Sequence, residues 1–220
     1  VGAKADWHIT NDISARTNVA LFRTKRSDAQ VSQPYAVTIN NEPRLINMIV
    51  NEAEATIKGA ELEGRLIFAQ GLDLSASWAY TDASYDKYFD IRTGQTLHNM
   101  PYAFAPRSKL TLGATYNLPV PEALGEMSVA VNWSHSSSIN FNVTPDPYGK
   151  QDAYSQTDLF LNWNHVLDSS VNASLFATNL TNQTYLVGGY PVYDAAGFST
   201  GIYNEPRMYG ISLKYNFSAD

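Results

Sequence analysis

Large apolar residues alternate with small or polar ones along most of this chain. The run Tyr209-Gly210-Ile211-Ser212-Leu213-Lys214-Tyr215-Asn216-Phe217 is apolar at every odd position and polar or small at every even one. Successive side chains on a strand point to opposite faces, so the run reads as a β-strand with one apolar and one polar face. Helical spacing is nearly absent, and residues 121–125 are long enough for one turn only. The alternation predicts about nine strands, at roughly 1–8, 13–29, 44–68, 72–88, 105–118, 127–141, 153–165, 171–181 and 205–217.

The connections between these segments fall into two classes that alternate. Short ones lie at 9–12, 69–71, 119–126 and 166–170, and long ones at 30–43, 89–104, 142–152 and 182–204. Short turns at one end and long loops at the other are the habit of outer-membrane barrels, with the long loops extracellular. A soluble sandwich can also gather long loops at one end, so the faces have to decide. Leu110, Leu112, Ala114, Tyr116 and Leu118 share one face, as do Met127, Val129, Val131 and Trp133 on the next segment. The opposite face carries Thr111, Gly113, Thr115 and Asn117, then Ser128, Ala130 and Asn132. A face of Ser, Thr and Asn suits a watery lumen better than the charged outside of a sandwich.

Aromatic residues cluster at two heights. Trp7, Phe68, Tyr116, Trp163, Tyr215 and Phe217 lie close to a short turn or the C-terminal end, and Trp78, Trp133 and Tyr209 lie further up. Eight residues at ~3.3 Å each and a barrel tilt climb about 20 Å, close to the apolar band of a bacterial barrel. Trp7, Phe68, Trp78, Tyr116, Trp133, Trp163, Tyr209 and Phe217 are therefore expected to form two membrane girdles. The segment 44–68 would run roughly 80 Å, far more than a crossing needs. Long projecting strands, and an odd strand number, point to a wall segment of a larger barrel.

Composition narrows the alternatives. With 21 acidic against 15 basic side chains and a net charge of −6, the 220 residues show no basic stripe, and no nucleic-acid partner is expected. No apolar run approaches the ~20 residues of a spanning helix. The chain has no Cys, which excludes a disulfide framework and thiolate metal sites. It begins at Val1 without an initiator Met or signal peptide, and is expected to come from a longer precursor.

Several stretches carry a family resemblance. Asn51-Glu52-Ala53-Glu54-Ala55-Thr56-Ile57-Lys58-Gly59-Ala60-Glu61-Leu62-Glu63 resembles the late-barrel N-x-x-x-A-x-x-x-G-x-E-x-E signature of TonB-dependent outer-membrane receptors. Gly2-Ala3-Lys4 with Asn18-Val19-Ala20-Leu21-Phe22 is similar to their G-x-K … N-x-A-x-F hairpin, and Pro106-Arg107-Ser108-Lys109-Leu110 to a P-x-x-x-L strand opening. Asn179-Leu180-Thr181-Asn182-Gln183-Thr184-Tyr185 resembles their N-L-F/T-D/N-x-x-Y, and the terminal strand resembles an assembly signal, although Ser218-Ala219-Asp220 follow it. The resemblance implies an all-β fold: residues 1–220 as the C-terminal portion of an antiparallel transmembrane β-barrel, one of roughly 22 strands. It further implies location in the outer membrane of a Gram-negative bacterium among its lipids, and uptake of a scarce ligand such as a ferric siderophore. Energy would come from the TonB complex through a plug domain outside this chain.

The candidate sites follow from placement. Glu61, Glu63 and Arg65 share one strand face and are expected to face the lumen and the plug as an ion-pair ladder. Arg92, His98, Tyr102 and Phe104 in one long loop, and Tyr190, Tyr193, Phe198 and Tyr203 in another, are the candidate extracellular ligand-binding residues. Exposed rings on loops suit flat or sugar-like ligands, and Arg an anionic group; the competing role is packing the loops together. Asp82, Asp86 and Asp90 are too spread along a strand for one calcium ion, and a solvated upper wall is expected for them, as for Asp146 and Asp152. His135 before Ser136-Ser137-Ser138 suggests a hydrolase, but strand neighbours diverge and no third member is visible. No catalysis, cofactor or metal is expected. Two other classes stay open: a smaller outer-membrane barrel acting as an enzyme or adhesin, and a soluble β-sandwich binding module.

Overall fold

The computed structural model describes residues 1–144, 148–193 and 197–217. Its strands are β1 (Gly2–Thr10), β2 (Ile13–Ile39), β3 (Glu42–Phe68) and β4 (Leu72–Asp90), then the short β5 (Gln95–Leu97) and β6 (Met100–Pro101). There follow β7 (Ser108–Leu118), β8 (Glu126–Ser136), the short β9 (Ile139–Asn140) and β10 (Lys150–Gln151), β11 (Tyr154–Asn164) and β12 (Val171–Thr178). A hairpin of β13 (Leu186–Pro191) and β14 (Ser199–Tyr203) precedes β15 (Met208–Tyr215). The long strands form one antiparallel sheet in the order β1-β2-β3-β4-β7-β8-β11-β12-β15. Each is hydrogen-bonded to its sequence neighbours, and β1 and β15 are the two edges, so this is an open stretch of barrel wall.

The register turns the alternation into two continuous faces. Trp7, Ala15, Leu66, Leu74, Ala114, Val131, Leu159, Ala177 and Tyr209 stand opposite one another in turn across the nine wall strands. One residue along, the row reads Asp6, Arg16, Arg65, Ser75, Gly113, Asn132 and Asp158. The apolar face is uncovered: Ile211 and Leu213 are 70 % and 73 % exposed. A face that wide and that apolar is built for contact with an apolar medium.

The apolar face ends at a definite height. Leu21, Ala60 and Tyr80 stand opposite one another, and the next row on the same face is Arg23, Lys58 and Asp82. Tight turns close the other end. Gly125 (φ 83°) sits where an added Cβ would come within 2.2 Å of the His165 carbonyl oxygen, so a side chain is excluded. There the 3-10 turns Glu122–Leu124 and Val166–Asp168 meet, and the Trp163 indole N–H donates to the Leu124 carbonyl at 2.5 Å.

The structure corrects the reading of 30–43 as a long loop. β2 and β3 run on as a hairpin to a two-residue turn, Asn40-Asn41, both at positive φ (52° and 63°). Asn tolerates that conformation, and two such residues suit a tight hairpin turn. Pro34 stands within this hairpin opposite Asn47. Conversely, β8 stops at Ser136, five residues short of its predicted end at 141.

Candidate functional site

At the long-loop end, side chains from four separate stretches meet. Ala29, Ala53, Ala55, Tyr85, Tyr88 and Val143 form a buried cluster, with Leu97, Met100 and Tyr102 packed against it. Val143 belongs to the connection after β8, so this small core ties that connection to β2–β3–β4. Tyr102 stacks on Tyr85 with ring centroids 4.7 Å apart, and Arg26 donates to its hydroxyl at 3.3 Å. His98 Nδ1 lies 3.0 Å from the Asp86 carbonyl oxygen. Asp90, 4 % exposed, accepts from the Arg92 backbone N–H at 2.9 Å and from its guanidinium at 3.4 Å. Asp90 is therefore buried and bonded, which corrects the expectation of a solvated position. Arg92, His98 and Tyr102 help to hold their loop against the wall.

Phe104 and the last loop make a second group. Phe104 holds a positive φ of 58°, its ring is tilted against Phe141 at 5.4 Å, and 58 % of the residue is exposed. A bulky residue in that backbone region is unusual and points to a locally imposed geometry. The β13–β14 hairpin lies over Phe141, since a Cβ added at Gly189 would come 3.2 Å from its ring. Tyr193 contacts Tyr148 at 5.5 Å, and the Tyr190 hydroxyl donates to Asn47 Oδ1 at 2.9 Å. Through these contacts the β13–β14 region meets both the connection after β8 and the tip of the β2–β3 hairpin. Phe198 and Tyr203 lie on the same hairpin and are 52 % and 64 % exposed. Five of the eight sequence candidates thus belong to one linked surface, and the other three serve its support. Asp146 lies outside the described residues, and Asp152 pairs with Lys150 at 3.4 Å.

Sequence reasoning passed over the residue that anchors the last loop. Asn179 is 2 % exposed, at φ 48°. Its amide donates to the Gln183 and Glu205 carbonyls at 2.8 and 3.1 Å, and its oxygen accepts from the Gln183 N–H at 2.8 Å. Asp158 accepts its backbone N–H at 2.8 Å. Tyr185, stacked on Tyr154 at 3.7 Å, donates to Gln156 at 2.6 Å. The signal was present as the Asn-Leu-Thr-Asn spelling, but its job is a long-range one.

The polar wall is less of a ladder than its sequence suggested. Arg65 bonds Asp73 on β4, with Nε 2.9 Å from Oδ1, and not the glutamates beside it. Arg16 pairs in the same way with Asp6 at 2.6 Å. Glu63 accepts from Asn18 at 2.8 Å, and Glu61 and Glu63 line a hollow of 480 Å³ with Lys4. On the apolar face, the indole N–H of Trp7 donates to Thr17 at 2.9 Å and that of Trp78 to Ser108 at 3.0 Å. Phe68, Leu72 and Tyr116 occupy the low end of that face, and Tyr209 and Phe217 are 79 % and 87 % exposed. Trp133 stacks on His135 at 6.0 Å, and His135 Nδ1 lies 2.9 Å from Ser155 Oγ. The partner of His135 is thus a serine on β11, while Ser136 Oγ donates to the Ser137 carbonyl.

The family model described as TonB dependent receptor-like, beta-barrel matches residues 1–182. The chain belongs to this TonB-dependent receptor family. Solved structures with the same fold include the ferric yersiniabactin uptake receptor FyuA from Yersinia pestis, at 17 % identity and a TM-score of 0.63, covering 99 % of this chain and 37 % of that one. The siderophore receptor PiuA from Acinetobacter baumannii matches with 18 % identity and a TM-score of 0.64, over 96 % of this chain and 27 % of its own. The ferripyoverdine receptor of Pseudomonas aeruginosa gives 16 % and 0.61, over 98 % and 27 %. The chain thus spans about a third of the length of these receptors or less. Family and solved relatives are receptors and transporters, not enzymes.

Within this TonB-dependent receptor barrel, the N-x-x-x-A-x-x-x-G signature acquires a physical reason. Ala55 is 1 % exposed in the small core, and the Phe22 ring lies across Gly59. Small residues are needed where large rings cross the wall. The same core makes a pH prediction. Burial, and then the neighbouring Tyr102, push the Tyr85 phenol from 10.0 up to about 12. A raised phenol contributes stability that is complete below about pH 10 and lost as pH rises through its folded value. In the full-length receptor, the tyrosinate absorbance difference between wild type and Tyr85→Phe is expected to be absent at pH 10 and to grow towards pH ~12. A difference already complete at pH 10 would contradict the packed core.

Proposed function

We propose that the receptor containing this chain captures a scarce extracellular ligand of the ferric-siderophore class and imports it across a Gram-negative outer membrane. The observation that carries this reading is the linked loop surface, where Phe104, Tyr193, Phe198 and Tyr203 expose aromatic area on loops held by a packed core and by Asn179. Rings on a braced surface bind with little ordering cost. The apolar face with its aromatic rows is the lipid contact, and the long loops are extracellular. The wall face bearing Glu61, Glu63 and Arg65 meets a plug domain supplied by the rest of the receptor, through which TonB delivers energy. The siderophore specificity of the solved relatives supports the ligand class.

The test uses the full-length receptor in a strain lacking it, supplied with a panel of radiolabelled ferric siderophores. At least one should be taken up, and uptake should stop when TonB is deleted. Phe104→Ala/Phe198→Ala/Tyr203→Ala together should raise the half-saturating concentration about tenfold or more with unchanged folded amount, since exposed rings contribute roughly 0.5–1.5 kcal/mol each. Uptake that persists without TonB, or that ignores the triple substitution, would remove the reading.

A further inference from the structure

The loop surface is poor in positive charge. Residues 137–149 make the connection after β8, and residues 179–206 carry the last loop with its β13–β14 hairpin. Together the two stretches contain no Lys, Arg or His, against the carboxylates of Asp146, Asp194 and Glu205. Lys150 and Arg207 flank them in sequence. Lys150 pairs with Asp152 at 3.4 Å, and Arg207 directly precedes the first residue of β15.

Cations on the neighbouring elements are engaged by the protein itself. Arg92, the candidate for an anionic ligand group, is turned to Asp90, which is buried and accepts from both its backbone N–H and its guanidinium. Arg26 donates to the Tyr102 hydroxyl at 3.3 Å, Lys87 to Glu54 at 2.6 Å and Arg44 to Glu42 at 3.4 Å. Three of these four thus already face a carboxylate of this chain. Sites that capture polyanions aim charge-assisted hydrogen bonds from clustered cations at the ligand. This surface is built otherwise.

What it presents is apolar and aromatic. Phe104, Phe198 and Tyr203 are each more than half exposed, and beside the hairpin rings Val187 and Ile202 are 51 % and 67 % exposed. Phe104 holds its ring there from a positive φ of 58°, a conformation that costs stability and persists only where the surroundings impose it. The face of an aromatic ring carries the negative part of its quadrupole, so it attracts neutral and cationic groups and disfavours anionic ones. A multiply anionic ligand would also meet the net negative charge of the two stretches.

Ferric siderophore complexes divide on this property. Three hydroxamates, each singly negative, balance iron(III) and leave the complex uncharged. Three catecholates, each doubly negative, leave it strongly anionic. The two kinds are of comparable bulk, so charge is the difference this surface can read.

We propose that the loop surface selects ferric complexes without net negative charge, of the iron(III) trihydroxamate class, over anionic tris-catecholates. The proposal rests on the reading that the receptor imports a ferric siderophore, and it adds the charge of the complex. Specificity is a difference between two affinities, and here it comes from stacking on the right ligand together with repulsion of the wrong one.

The test is equilibrium binding of the purified full-length receptor to iron(III)-loaded probes. These are several uncharged trihydroxamates, ferrichrome among them, and several tris-catecholates, ferric enterobactin among them. At least one trihydroxamate should bind about tenfold or more tightly than any tris-catecholate. Its affinity should change less than about twofold between roughly 0.05 and 0.5 M salt, because no ion pair is there to be screened. Val187→Lys/Ile202→Lys sets two cations at exposed positions of the hairpin and should gain about tenfold or more in tris-catecholate binding. A tris-catecholate that binds the wild type as tightly as any trihydroxamate overturns the proposal and leaves siderophore import standing. Binding of neither class overturns it too, while uptake of some other ferric siderophore would still uphold the import reading. No gain in the folded double variant removes the loop surface as the seat of selection. Should that variant not fold, as judged by heat-modifiable gel mobility, Ile202→Lys alone should gain about threefold, and no gain there overturns the proposal as well.

Discussion

Replacing Gly59 by leucine is expected to remove most of the folded receptor from the outer membrane. An added Cβ at Gly59 would lie 2.1 Å from the Tyr80 carbonyl oxygen and 2.7 Å from Cζ of Phe22. The Phe22 ring has some freedom to swing away, but the Tyr80 oxygen belongs to the neighbouring strand. Relief therefore requires β3 and β4 to part where Gly59 stands opposite Thr81, and it breaks ladder bonds on both sides. Overpacking a well-fitted position typically costs about 1–3 kcal/mol, and a clash with fixed backbone lies at or above the top of that range. Gly64 supplies the matched control, because nothing lies within 4 Å of a Cβ built there. Gly64→Leu on the apolar face should leave the heat-modifiable form at wild-type level. Gly59→Leu should reduce it to roughly a tenth or less, and Gly59→Ala should fall between them. Equal yields for Gly59→Leu and Gly64→Leu would show that the wall is not packed as described.

The wall was legible because its code is local. Leu110, Leu112, Ala114, Tyr116 and Leu118 alternate with Thr111, Gly113, Thr115 and Asn117, and period two has one structural meaning when it persists for a whole crossing. The projecting end of β2 was missed for a local reason too. Pro34 and the polar stretch around it read as a loop, whereas the pairing that carries β2 on to Ile39 is made with β3, in another segment.

The loop surface was legible only in its ingredients. Aromatic content marked both loops, but nothing local separates Tyr102, stacked on Tyr85, from Phe198, which is half exposed. Tyr190 and Asn47 are 143 residues apart, and their contact exists only because the wall brings two long hairpins together. The pairing within the expected ladder differed for a similar reason. Glu63 and Arg65 share a face, yet Arg65 finds Asp73 across the ladder, where a carboxylate is better placed than one two residues along its own strand.

Substituting Asn179 should release the last loop while leaving the wall intact. The side chain closes three hydrogen bonds, to the Gln183 carbonyl, the Gln183 N–H and the Glu205 carbonyl, and so pins both ends of the stretch between them. Beside it, Asn182 at φ 53° accepts the Arg207 N–H at 3.0 Å and closes the same knot from the other side. Asn179→Ala forfeits the three bonds at about 1 kcal/mol each and leaves an alanine at positive φ, a further ~1 kcal/mol. Local opening should thus become easier by roughly 3–4 kcal/mol, two to three decades in the open population. Limited proteolysis of the full-length receptor should show cleavage within 183–205 accelerated at least a hundredfold, with cleavage elsewhere and heat-modifiable mobility unchanged. Asn179→Gly keeps the backbone conformation and loses only the bonds, so it should recover about one of those kcal/mol. Asn179→Asp keeps the acceptor for the Gln183 N–H but sets a carboxylate against two carbonyls, and it should open at least as readily as alanine. If all three variants were cleaved at the wild-type rate, the loop would be held by its aromatic contacts alone. If they opened the whole barrel, Asn179 would belong to the wall and not to the loop.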